Sequence, residues 1–99
     1  MLYLLYGDDR VAMLDYAQKK LGEGHEVIEG EGVDMVNVFL GGSLFDEKRR
    51  IMIKDLGENK GAWESLPKYL GTENEVVLVE SRVDKRGVVW KELAAGGAE

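Results

Sequence analysis

Three apolar runs with no polar break constrain this chain most: Leu2 to Tyr6, Ile51 to Ile53 and Val76 to Val79. A strand with one wet face alternates polar and apolar residues. A short unbroken run instead marks a strand covered on both faces, as in a parallel sheet between helices. Gly7 closes the first run, Arg50 and Lys54 bracket the second, and Glu75 and Glu80 bracket the third. Helical periodicity fills the gaps. Asp8 and Asp9 supply an N-cap, Val11, Leu14, Ala17 (with Met13) and Leu21 recur at helical spacing, and Gly22 and Gly24 stop the helix. His25 to Glu29 reads as a weaker strand near an edge, closed by Gly30 and Gly32. Asp34 caps a second helix through Val36, Phe39 and Leu40, ended by Gly41 and Gly42. Asp55 to Gly61 reads as a loop. Trp63, Leu66, Tyr69 and Leu70 form a short helix face, with Pro67 in its first turn or at a kink and Gly71 after it. Asp84 caps a last helix through Val88, Val89, Trp90 and Leu93. Strand and helix thus alternate four times. That order predicts a three-layer α/β domain with a mostly parallel sheet and right-handed crossovers.

Composition narrows the class. Ninety-nine residues make one domain, residues 1–99, and not two. A net charge of −6 argues against holding a nucleic-acid backbone by bulk electrostatics, although Lys48-Arg49-Arg50 and Lys85-Arg86 are locally basic. The absence of cysteine removes disulfides and thiolate metal sites and fits a reducing, cytoplasmic setting. No apolar run reaches membrane-spanning length, and Met1 to Tyr6 lacks the basic start of a signal peptide.

The first chemical candidate is the turn after the first strand. A phosphate-binding loop runs G-x-x-x-x-G-K-[ST], where backbone N–H groups wrap the phosphate and a lysine adds charge. From Gly7, the second glycine position holds Ala12 and the lysine position holds Met13, while Asp8 and Asp9 repel phosphate. This is a phosphate loop without its chemistry, and no cofactor is expected. Asp55 stands where a nucleoside triphosphatase holds magnesium, but Leu56 replaces the acid that activates water, so a turn-forming aspartate is the simpler reading. His25 has no second ligand and reads as a surface residue. Trp63 and Trp90 share helical spacing with apolar neighbours and read as core. Asp84, Lys85 and Arg86 are either a binding cluster or a capped first helical turn.

The remaining candidate is Ser43-Leu44-Phe45, set between Gly41-Gly42 and the charged stretch Asp46 to Arg50. Two readings stand. Leu44 and Phe45 tuck beneath the sheet edge, or they are offered together to an apolar pocket on a partner, where such anchors carry most of the binding energy.

Tyr3-Leu4-Leu5-Tyr6-Gly7-Asp8-Asp9, then Ser43-Leu44-Phe45 with Arg49-Arg50 and an apolar strand, then Val83-Asp84-Lys85-Arg86 resemble, in order and spacing, the delta subunit of bacterial DNA polymerase III. That subunit is part of the clamp loader. The resemblance runs over nearly the whole chain and covers about the first third of such a subunit. A helical lid domain and a collar domain follow there, which points to a truncated gene or a shortened relative. The resemblance implies an AAA+-like (P-loop-like) domain with a degenerate nucleotide site and strand order 1-4-3-2. It implies a non-catalytic subunit that binds the DNA sliding clamp through Ser43, Leu44 and Phe45 and helps open it during DNA replication. Its partners would be the clamp and other clamp-loader subunits, with DNA met only through the full complex. The alternative is a small nucleotide-binding or receiver-like regulatory domain. A receiver-like sheet has order 2-1-3-4, so strand order separates the two.

Overall fold

The computed structural model describes residues 1–41, 48–83, 87 and 90. Its elements are β1 (Leu2–Tyr6), α1 (Arg10–Leu21), β2 (Glu26–Glu29), α2 (Met35–Leu40), β3 (Arg50–Lys54), α3 (Lys60–Ser65) and β4 (Glu75–Glu80). Short 3-10 turns lie at Gly30–Gly32, Leu56–Glu58 and Leu66–Tyr69. The expected last helix from Asp84 falls outside the described residues, apart from Trp90.

The four strands form one all-parallel sheet in the order β1-β4-β3-β2. This is the 1-4-3-2 order, and it differs from the 2-1-3-4 of a receiver-like sheet. Leu4, Leu78, Ile53 and Ile28 line up across it. Because strand side chains alternate in direction, each unbroken apolar run serves two cores. Ile51, Ile53, Val76 and Leu78 pack with Val38 and Phe39 of α2, Ala62 of α3, and Leu56 and Leu66. Met52, Val77 and Val79 face the other way, onto Ala17 and Leu21 of α1. The result is three layers: α1, the sheet, and α2 with α3. β2 is an edge strand, as its weak pattern suggested, and Val27 there is exposed.

Local chemistry sets the helix ends. The Asp9 carboxylate accepts the Ala12 N–H at 3.0 Å, and the Asp34 carboxylate accepts the Asn37 N–H at 3.2 Å. Gly7 has φ +139°, a conformation closed to residues with a Cβ, and it turns the chain from β1 into α1. At Gly30 the reason is closeness instead, since a Cβ there would run into the Leu56 backbone.

Three expectations need correction. Asp55 to Gly61 is not a plain loop: Leu56 is fully buried in a 3-10 turn, and α3 begins at Lys60, capped by Asn59 on the Ala62 N–H. Pro67 neither kinks α3 nor lies within it, because α3 ends at Ser65 and the proline is the second residue of the 3-10 turn Leu66–Tyr69 that follows. The buried face of α2 is Val38 and Phe39, while Val36 and Leu40 are 59% and 68% exposed. Val11 of α1 also points outward. Trp63 packs against the core as expected, and Trp90 meets the Tyr6 ring edge-on at 5.3 Å.

Candidate functional site

In open parallel sheets, ligands sit beyond the carboxyl ends of the strands. Here β1, β3 and β4 run out there into Gly7, Asp55 and Ser81, and the chain's own side chains hold that edge. Arg10, in the first turn of α1, grips Asp55 with two parallel hydrogen bonds of 3.0 and 2.8 Å and reaches the Ser81 hydroxyl at 3.3 Å. Asp55 adopts the left-handed conformation (φ 59°, ψ 42°), which aspartate tolerates better than most residues. It is therefore a turn residue, as its sequence context suggested, and also half of an ion pair. The Asp9 carboxylate already holds the Ala12 amide. Met13, where a lysine would stand, lies against the core around Met52 and Val77. The positions read from the sequence as a degenerate phosphate loop, Gly7, Ala12 and Met13, thus lie on one strand–helix junction, where Asp9 and Arg10 bond within the chain.

Glu80 completes this edge from below. It is 3% exposed, and its two oxygens accept the Leu56 and Gly57 N–H groups at 2.9 and 2.6 Å. Burial pushes its carboxyl above the usual range, against the pull of those two amides, and the charge of Asp55 adds to the push. The carboxylate thereby caps the 3-10 turn that begins after Asp55.

The opposite, amino-terminal edge is organised by Asn74 and by two arginines of the basic cluster. Arg49 binds Glu26 of β2 through two bonds of 2.8 and 2.7 Å and the Asn37 carbonyl of α2 at 2.8 Å. The Arg49 hydrogen bonds hold the Glu26 carboxyl below its usual range. Arg50 donates to the Leu21 and Glu23 carbonyls at the end of α1. Asn74, 6% exposed, donates to the Val38 and Gly41 carbonyls at 2.9 Å each and accepts the Arg49 N–H at 3.1 Å. Beside it opens a groove of about 510 Å³. Gly41 and Lys48 both line this groove, and they flank residues 42–47.

Ser43, Leu44 and Phe45 lie outside the described residues, as do Asp84, Lys85 and Arg86. His25 does not project as a ligand; its Nδ1 is 2.7 Å from the Gly22 carbonyl at the end of α1. Among the described residues no group of three or more His, Cys, Asp or Glu could hold a metal ion, and no helix is long and apolar enough to cross a membrane. Sequence reading missed Arg10, Glu80, Ser81 and Asn74. Only Glu80 carried a signal, as an acid closing a fully apolar run. Scans against protein-family models and searches of curated proteins and of solved structures find no match to this chain.

Proposed function

We propose that this chain is a non-catalytic clamp-loader domain resembling the amino-terminal part of a DNA polymerase III delta subunit. In this reading it is AAA+-like and has lost its nucleotide site. It presents Leu44 and Phe45, with Ser43, to an apolar pocket on the DNA sliding clamp during replication. Other loader subunits carry the ATP chemistry. Favouring an open clamp requires that the domain contact the open state better than the closed one.

One observation carries the reading: a parallel 1-4-3-2 sheet whose ligand-binding edge is filled by Arg10, Asp55 and Asp9. That combination fits a nucleotide-binding scaffold kept for another purpose. It also counts against the rival, a small nucleotide-binding domain. A pull-down with a bacterial sliding clamp tests the proposal. The 99-residue chain should retain the clamp, and the double variant Leu44→Ala/Phe45→Ala should lose it while melting like the parent. If the double variant unfolds, the pair was core. Calorimetry with ATP and magnesium tests the rival, which requires measurable affinity.

A further inference from the structure

The surface facing away from the filled edge has features that the Leu44–Phe45 pair does not account for. The groove at the amino ends of β3 and β4 is walled by Leu40 and by Tyr69, whose ring stacks at 5.0 Å on the buried Phe39 behind it. Leu40 is 68% exposed, and Val36, one turn earlier on α2, is 59% exposed. Apolar side chains this open at i, i+4 spacing, beside a concave wall, form a ridge and not scattered exposure. Lys48 and Lys68 also line the groove, and both are exposed. Neither is ion-paired among the described residues. Glu73 is the one carboxylate among the described lining residues, so the described lining is net positive on a chain of net charge −6. Thr72 and Asn74 on its floor are already committed to the Phe39, Val38 and Gly41 carbonyls. Recognition there must come from the apolar walls and the two ammonium groups.

We infer that this groove is a second protein-docking surface, whose occupant is an extended segment of the partner carrying an apolar side chain flanked by carboxylates. The inference rests on the clamp-binding reading above and deepens it. Because Gly41 and Lys48 belong to the groove and flank residues 42–47, a partner held by Leu44 and Phe45 lies within reach of the groove. Charge complementarity selects the occupant: the two lysines, without an ion pair among the described residues, attract an acidic segment, while the overall negative charge disfavours nucleic acid.

The test is surface plasmon resonance of the 99-residue chain over an immobilised bacterial sliding clamp, at low and moderate salt. Lys48→Glu/Lys68→Glu should weaken binding at least tenfold at low salt and flatten its salt dependence, while Lys48→Arg/Lys68→Arg should bind like the parent. Both lysines are exposed, so melting temperature should hold in both variants. Parental binding by the Glu pair, or equal loss in the Arg pair, overturns the groove and leaves the Leu44–Phe45 reading standing. Loss in the Glu pair with full binding by Leu44→Ala/Phe45→Ala overturns that reading and keeps the groove. No binding by the parent chain overturns both. Lysine-dependent retention of a DNA oligonucleotide in place of the clamp also overturns the proposal.

Discussion

Asn74 joins both feet of the segment proposed to bind the clamp, so its removal is the most informative single change. Its side chain serves three backbone groups: the Val38 and Gly41 carbonyls before residues 42–47 and the Arg49 N–H after them. The Val38 bond is buried, and water cannot replace it. Leaving that carbonyl unsatisfied costs about 1–3 kcal/mol, and the two half-buried bonds add about 0.5–1 kcal/mol each. Asn74→Ala should therefore cost about 2–5 kcal/mol. With a urea slope of about 2 kcal/mol per molar, the middle of the range for a small domain, the midpoint should fall by roughly 1–2.5 M. Asn74→Asp is the sharper variant. It keeps an acceptor for Arg49 but turns a carboxylate oxygen toward two carbonyls, so it should be at least as destabilising as alanine at neutral pH. Urea titration followed by far-UV circular dichroism measures both. An alanine variant within about 0.5 kcal/mol of the parent, the size of an ordinary surface change, would refute the view that Asn74 holds this edge together.

Asp55 has two separable roles, and a double-mutant cycle with Arg10 should resolve them. The ion pair, about one-third exposed on each side, should show a coupling near 1 kcal/mol that shrinks in high salt. Asp55→Ala should cost about 1 kcal/mol more than Asp55→Asn even in the Arg10→Ala background, because alanine resists the left-handed turn. Glu80 predicts a pH dependence. Its carboxyl is raised in the folded state, so the folded chain binds more protons just above the usual carboxylate range and loses stability as pH rises through that window. Glu80→Gln lacks this component, so the stability gap between parent and variant, followed by urea titration from about pH 4 to pH 7, should shift against the parent as pH rises; a shift in its favour contradicts the burial argument. Rebuilding the motif letters with Ala12→Gly/Met13→Lys should give no calorimetric signal with magnesium and ATP, because Asp9 still holds the position-12 amide and Arg10 still holds Asp55.

The strands were legible because an unbroken apolar run has one good solution. Leu2–Tyr6, Arg50–Lys54 and Glu75–Glu80 all form where they read. The faces of α2 were not legible, since five of its six residues, Met35-Val36-Asn37-Val38-Phe39-Leu40, are apolar and no polar stripe marks the wet side. Polar residues around Leu56 masked its burial, which comes from the turn folding back over the sheet and onto Glu80. The partners at the filled edge lie 45 and 24 residues apart in the chain, for Arg10–Asp55 and Leu56–Glu80, so only the folded topology brings them together.

In the proposed reading, the two ends of the sheet exchange their usual roles. A parallel sheet normally offers its carboxyl edge, because helix N-termini and loops there leave backbone donors free for a ligand. In this chain the Asp9 carboxylate, the Arg10–Asp55 pair and the Glu80 cap consume those groups internally. At the amino edge Asn74, Arg49 and Arg50 likewise bond the backbone, but Lys48 and Lys68 have no ion pair among the described residues and the Val36–Leu40 ridge is exposed. In that reading, a hydrogen-bonded backbone beneath side chains that project from it suits the docking of a partner. It holds contacts in place without ordering cost at the moment of association, and it leaves the filled edge free to act as a brace.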